Sequence, residues 1–388
     1  MSKRLQSVNR TLGTAAFYLG FLIETALVIV DKSNFTNPYT TLFFRGTFVL
    51  FVLKIVLTKY PPREIAFFAV CAAVGFISWR VSGRSELLRF AAFLMAAAEG
   101  IDLRKLLKVW FFATLSGCLA LVLLSVTGIY GRLSETADYG HGIETRFSLG
   151  MGHPNALHCM AAMLILCGLY LFEDKLRVWI YVALLTGDVL LYQLTKSNSG
   201  LLVSVCAIAG SALLHYGRKL RQGRGIYIAG EAVFAAGLCY SVFAAIVNPF
   251  EHPLYKRFDS LLTGRASGLW DTVYHDGCLS TWYWFSAREN TTFFDMGWVR
   301  LIYWYGVIPA VLIIALVFAM FRVIRRRRDY AALVLFTAVC GYTVLEAHLV
   351  SEYIGRNFVL IAAAGFLPEL LYPGEEAGKK AENPEDPE

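Results

Sequence analysis

Two arginines sit in company that could do chemistry. Arg146 opens the stretch Arg146-Phe-Ser-Leu-Gly-Met-Gly-His153-Pro154-Asn155, and Arg265 closes Asp259-Ser-Leu-Leu-Thr-Gly264-Arg265, with Trp270 soon after. A guanidinium is planar and permanently charged, and its fork of N–H donors matches phosphate oxygens two at a time. In the first stretch Gly150 and Gly152 loosen the backbone, and Pro154 suits the first turn of a helix. The pattern fits an anion cradle at a helix mouth, or a plain loop-to-helix junction with a polar rim. In the second, the alternative is a loop arginine stacked on an aromatic ring. Asp295, His153, His252 and His275 are groups that could take a proton from an attacking hydroxyl. Asp295 is the first choice, against a structural reading in which it caps a following helix. His153 suits a role in orienting the loop through hydrogen bonds.

The rest of the chain must position these groups, and its composition says how. Of 388 residues, 57% are apolar and 17% charged, against roughly a quarter charged in soluble proteins. Apolar windows long enough to cross a hydrocarbon layer of about 30 Å recur throughout. The reading is an all-α polytopic membrane protein of about twelve spans, at roughly 13–30, 41–58, 64–79, 86–98, 106–129, 154–172, 177–194, 199–216, 226–247, 296–321, 330–350 and 353–372. The third and fourth are short, and Arg89 interrupts the fourth, so they could form a re-entrant pair. The basic residues ahead of the first stretch resemble a signal peptide. That stretch runs on to Val30 without a small-residue cleavage site, so it reads as an uncleaved span.

Orientation follows from the short loops. With a cytoplasmic N-terminus, Lys59 and Arg63, Arg104, Lys105 and Lys108, Lys175 and Arg177, Arg218 to Arg224, and Arg322 with Arg325 to Arg328 all fall inside. Both termini are then cytoplasmic, and the long connections at about 130–153 and 248–295 lie outside, where loops of that length commonly carry function. The second holds Trp270, Tyr274, Trp282, Tyr283, Trp284 and Phe285, which should pack on the bilayer surface or cover a site. Residues 1–372 read as one membrane domain, and 373–388 as an acidic disordered cytoplasmic tail. The formal charge of +7 sits in inter-span loops and does not suggest nucleic acid. Of the eight cysteines only Cys278 lies in a long loop, and no disulfide framework or zinc spacing is present.

Against this topology a set of cations is on the unexpected side: Arg80, Arg84, Arg89, Arg132, Arg146, Lys196, Lys256, Arg257, Arg265, Arg288, Arg300 and Arg356. Arginine near the membrane is costly unless paired or given an anion. Some of these should pair with Glu352, Glu289 or lipid headgroups. Glu24, Asp188, Glu231, Glu346 and His348 fall within apolar spans, where ionisable groups are functional candidates. Glu24 is expected to pair with Arg45. Glu346 and His348 are expected to give Arg356's region charge-paired support. The turn Thr195-Lys196-Ser197-Asn198-Ser199-Gly200 offers Lys196 as a third phosphate contact, or is simply a tight turn.

The Arg146 stretch ending in His-Pro-Asn, the later stretch ending in Arg265, and Phe294-Asp295-Met-Gly-Trp-Val-Arg-Leu-Ile-Tyr-Trp-Tyr-Gly306-Val-Ile-Pro309 together resemble the O-antigen ligase and polymerase family. Their order and spacing are similar to its Wzy-like polysaccharide polymerases over roughly residues 130–365, as is the stretch from Glu346 to Asn357. The resemblance implies a C-type glycosyltransferase-like fold in a bacterial cell membrane. It implies metal-independent, inverting transfer from polyprenyl-pyrophosphate-linked oligosaccharide on the outer face, without a cofactor. On it, Arg146 and Arg265 would hold the pyrophosphate and Asp295 would be the general base. His153, Asn155, Lys196, Glu346 and Arg356 would support them. Met296 departs from the family's pattern, standing where polymerases often carry Asn after the Asp. Donor and acceptor lipid-linked glycans, membrane lipid and a chain-length regulator are the implied partners.

Two other functions stay in view. A ligase would move the finished glycan to a different acceptor by the same chemistry. A lipid-linked oligosaccharide flippase would share the twelve-span plan, but it would be expected to show internal symmetry and a midplane site.

Overall fold

The computed structural model describes residues 3–138, 142–347 and 350–372. His141, His348 and the acidic tail lie outside them. The chain runs α1 (Lys3–Asp31), α2 (Thr40–Val56), α3 (Pro62–Ser82), α4 (Glu86–Ala98) and α5 (Leu103–Val126), then the hairpin strands β1 (Ser134–Asp138) and β2 (Ile143–Phe147). It continues with α6 (Pro154–Leu171), α7 (Val178–Thr195), α8 (Asn198–Tyr216), α9 (Arg218–Gln222), α10 (Arg224–Ile246), α11 (Pro253–Leu261) and α12 (Arg265–Trp270). Last come α13 (Gly297–Tyr305), α14 (Val307–Arg327), α15 (Tyr330–Leu345) and α16 (Phe358–Leu371).

Eight helices among the described residues are long and apolar enough to cross a membrane: α1, α3, α5, α6, α7, α8, α10 and α14. α15 and α16 are apolar but shorter, and α2 and α4 are short helices that carry charged residues. α3, α5, α7 and α10 leave most of their apolar surface exposed, with Leu119, Leu123, Trp179 and Leu190 facing outward. A helix that is apolar all round yet exposed is at home against lipid. This is an all-α protein with the build of a multi-pass membrane protein. The short helices are the inverse case. α4, α15 and α16 have most of their side chains buried and none exposed, and sit in the middle of the bundle, where they need not reach across it.

Several expectations change here. The third span is a full helix of 21 residues, and α4, at 13 residues, rises only about 20 Å. Arg89 on α4 is buried and pairs with Glu24 at 2.7 Å, while Thr47 Oγ1 also donates to Glu24 at 2.6 Å. Glu24 Oε2 accepts from the Ile354 amide, and the Arg89 guanidinium lies 3.6 Å from the centre of the Phe44 ring. Arg45, the expected partner of Glu24, is exposed instead. In helical projection Arg45 and Thr47 point different ways, and it is Thr47 that faces α1. The other two unassigned acids are also paired. Asp188 meets His158 Nε2 at 3.2 Å, with both side chains fully buried, and Glu231 meets Arg325 at 2.9 Å.

The expected span 296–321 is interrupted. Gly306, at φ +93°, separates α13 from α14, and a Cβ there would stand 2.5 Å from Phe285 Cα and 2.7 Å from Ser286 N. The amides of Val307 and Ile308, which start a new helix and lack intrahelical acceptors, donate to Tyr283 O and Trp284 O at 2.9 and 3.1 Å. The connection 130–153, expected as a loop, folds in part into the antiparallel hairpin of β1 and β2. The connection 248–295 is folded too. Trp270 Nε1 donates to Ala244 O and Trp282 Nε1 to Gly277 O, both at 2.9 Å, and Asn290 Nδ2 donates to Tyr303 O at 3.0 Å.

The connections sort to two ends of the bundle. At one, Gly152 N donates to Lys32 O (2.7 Å), Arg84 donates to Asn290 O (2.8 Å), and Arg265 reaches Glu346 (2.7 Å). At the other, Arg104 pairs with Glu173, Arg327 with Glu369, and His215 meets Tyr330 at 3.0 Å.

Replacing Gly306 by alanine adds a strained φ and a backbone collision, and should destabilise the protein by about 1–3 kcal/mol. Gly187→Ala, whose Cβ would meet nothing within 4 Å, should leave the thermal unfolding temperature in detergent unchanged. Equal melting of the two variants would contradict the role given to the break.

Candidate functional site

Arg265 is set in place by a small folding unit of its own. α11 ends at Leu261, and Thr263 and Gly264, both at φ +70°, reverse the chain into α12. Asp259, fully buried, accepts from the Ala266 amide (2.9 Å), the Ser267 amide (2.8 Å) and Ser267 Oγ (2.6 Å). Its carboxylate thus satisfies donors at the start of α12, as a cap does, from one turn upstream. Arg265, the first residue of α12, is left projecting from a fixed base.

Its guanidinium bridges two carboxylates. One Nη group donates to Asp295 and the other to Glu346 Oε1 at 2.7 Å. Asp295 precedes α13, but Met296 occupies the cap position and no side chain caps that helix, so the capping role is not the one Asp295 has. The Asp295 side chain is 30% exposed and that of Glu346 6%. Glu346 Oε1 also accepts from Asn155 Nδ2 (3.1 Å) and Ser199 Oγ (2.9 Å), while Asn155 Oδ1 accepts from Ser197 Oγ (2.5 Å). Four separate parts of the chain therefore meet at one oxygen: the 346 turn, α6, α8 and α12. One turn further along α6, Cys159 Sγ lies 2.5 Å from Tyr342 OH on α15, behind this cluster.

Arg300 sustains the turn that carries Glu346. It is fully buried on α13, donates to Ala347 O (2.7 Å) and Val350 O (2.6 Å), and lies against the rings of Phe293 (4.1 Å) and Trp304 (4.4 Å). Charge-assisted bonds to carbonyls hold such a segment more firmly than neutral ones.

The other anticipated residues have partners outside this centre. Arg146, on β2, pairs with Glu144 at 2.9 Å on the same strand. His153 is the N-cap of α6, its Nδ1 accepting from the Asn155 amide at 3.1 Å. Arg356 pairs with Asp31 at 3.8 Å. Lys196 is exposed and donates to Gln193 at 2.9 Å; from the same turn it is Ser197 and Ser199 that face the cluster. The expected carboxylates Glu352 and Glu289 are not the main partners of the arginines here. Asp31, Glu24, Glu86, Glu144, Asp295 and Glu346 are.

Some of the cluster went unread in the sequence. Asp259 stood in a motif but had no role, and its spacing of seven residues from Ala266 matches no simple capping pattern. His158 was not singled out. It hydrogen-bonds Thr195 (2.8 Å) and Asp188 (3.2 Å) and so fixes the end of α7, after which Ser197 reaches Asn155 and Ser199 reaches Glu346. Its signal was a lone histidine three residues past Asn155 on an otherwise apolar helix.

Chemically, the centre combines one cation with two carboxylates of unequal access. Glu346 has the lone pairs of one oxygen taken by three donors and suits a structural charge. Asp295 has a single donor among the described contacts and is open enough to meet a ligand. Among the described residues no group of three or more His, Cys, Asp or Glu side chains is arranged to hold a metal ion. Replacing Asp259 by alanine removes three bonds from buried donors and should cost about 2–4 kcal/mol. Hydrogen exchange should then quicken at residues 264–268, while the α6–α8 packing keeps its protection; unchanged exchange there would remove Asp259 from the account.

Comparison with protein-family models, with curated proteins and with solved structures gave no match to this chain.

Proposed function

We propose that the chain is a membrane glycosyltransferase of the polysaccharide polymerase kind. It would join lipid-linked oligosaccharides at the end of the bundle where Arg265 lies, on the outer face of a bacterial membrane, within a twelve-span plan with both termini cytoplasmic. The observation that carries the reading is Arg265, held by the folded 248–295 connection, bridging Asp295 and Glu346. The resemblance of the three motifs to the O-antigen ligase and polymerase family supports the same view.

In the reaction, a hydroxyl oxygen of the acceptor sugar attacks the anomeric carbon of the donor. The new glycosidic bond forms as the bond from that carbon to the pyrophosphate oxygen breaks, with inversion. Negative charge grows on the departing polyprenyl pyrophosphate, and a guanidinium placed in advance stabilises that charge more than the ground state. Arg265 is this group, with Arg146 as a second contact. A pyrophosphate binding Arg265 competes with Asp295 for the guanidinium, while Glu346, anchored by two further donors, keeps its hold. Asp295 is released toward the acceptor and takes the hydroxyl proton. Donor binding thereby readies the base.

Purified protein in lipid bilayers, given lipid-linked repeat units alone, should lengthen them. Arg265→Ala should lower turnover by about 10²–10³-fold, and Asp295→Asn by about 10²–10⁴-fold. Elongation only when a different acceptor is added would instead identify a ligase. Repeat units trapped on the cytoplasmic side in Arg265→Ala cells would favour transport.

A further inference from the structure

A cavity opens beneath the turn between α1 and α2. Its volume is about 320 Å³, within the roughly 300–1,000 Å³ of small-molecule sites. Its walls include Asp31, Asn34, Thr36 and Asn37 together with the rings of Phe35 and Tyr353. It takes no part in the cluster around Arg265.

The lining is built of neutral hydrogen-bonding groups. Asn34 Oδ1 accepts from the Arg132 amide (3.3 Å) and Asn37 Oδ1 from the Tyr39 amide (3.0 Å). Each oxygen is thus occupied in holding backbone, which leaves the two Nδ2 groups and the Thr36 hydroxyl without a protein partner among the described residues. Asp31 is the one charged group in the wall, and Tyr353 OH (3.2 Å), Lys32 (3.1 Å) and Arg356 (3.8 Å) already attend it. No lysine or arginine lines the space, so it offers little to a phosphate. Phe35, about half exposed, presents a flat apolar face beside those donors. Amide and hydroxyl donors next to an aromatic face match a pyranose, which has hydroxyls around its edge and C–H groups on its faces.

The cavity is also tied to the rest of the site. Ser33 bridges Met151, Gly152 N donates to Lys32 O at 2.7 Å, and Arg132 N meets Asn34. The wall is therefore fixed to the connection that carries Arg146 and leads directly into α6, whose Asn155 holds Glu346.

We propose that this cavity binds an uncharged sugar ring and seats the acceptor glycan. The acceptor role rests on the transfer reading above, whereas sugar binding rests on the cavity alone. The test uses the full chain in phosphatidylcholine nanodiscs. Saturation-transfer NMR is recorded separately with glucose, galactose, mannose, rhamnose and N-acetylglucosamine, with glycerol as the comparison. At least one pyranose should receive saturation well above glycerol.

The double variant Asn34→Asp with Asn37→Asp keeps both backbone-holding oxygens but exchanges the donors for acceptors. It should bind about tenfold more weakly or worse. Thr36→Val provides a second, milder loss should the double variant melt early. Arg265→Ala should bind the sugar as the unaltered protein does. The proposal is overturned if every pyranose matches glycerol, or if neither set of wall substitutions weakens the signal. Sugar binding without elongation of lipid-linked units would sink the transfer reading and leave the seat standing. Elongation without wall-dependent sugar binding would do the reverse.

Discussion

The organisation of the protein turns on the cost of leaving an ion unpaired in a medium that screens poorly. In water a lone guanidinium or carboxylate is well solvated, whereas inside a helical bundle it is stable only beside a counter-ion and donors in good geometry. Glu346 meets this condition through three donors on one oxygen, and each donor comes from a different part of the chain. Remove that carboxylate and Asn155, Ser199 and Arg265 lose their common point. The chain order that brings α6, α8, α12 and the 346 turn together is thus enforced by one charge as well as by apolar packing.

The same rule explains why the bundle has two kinds of helix. The long helices α3, α5, α7 and α10 stand at the periphery with their apolar side chains exposed, while the short α4, α15 and α16 fill the centre. The charged residues of the central helices α4, α15 and α16 lie at or near their ends. Arg89, Glu24 and Thr47 secure α4 against α1 and α2, and Glu346 closes α15. Short central helices leave room at their ends for non-helical backbone that is buried in protein, the one setting in which a membrane-embedded chain tolerates it. Ala347 and Val350, buried and non-helical with their carbonyls held by Arg300, are in such a setting.

Most of the helices were legible because twenty apolar residues in succession have few other fates. The local motifs were legible in part. Asn155 and Arg265 were singled out on residue type and company, and both stand in the cluster, whereas Arg146 and Lys196 have their carboxylate and amide partners close by in sequence. What could not be read was pairing at a distance. Glu24 and Arg89 are 65 residues apart and Arg265 and Glu346 are 81 apart, and no periodicity connects them. Nor did hydropathy reveal the interruption at Gly306, since both sides are apolar and it is the positive φ and the close approach of Phe285 and Ser286 that demand a glycine. The β1–β2 hairpin was hidden for the opposite reason: its strands are polar and short, with nothing of an alternating core face.

The junction of α13 and α14 also sets where the chain can change length. Because Tyr283 and Trp284 supply acceptors to the first amides of α14, and Asn290 ties back to Tyr303, the segment from 283 to 307 is a closed circuit with fixed circumference. Adding or deleting a single residue inside it would rotate Asp295 off its bearing or strip α14 of its acceptors. Related chains would therefore be expected to hold this stretch to a constant number of residues, and to absorb their insertions elsewhere on the same face.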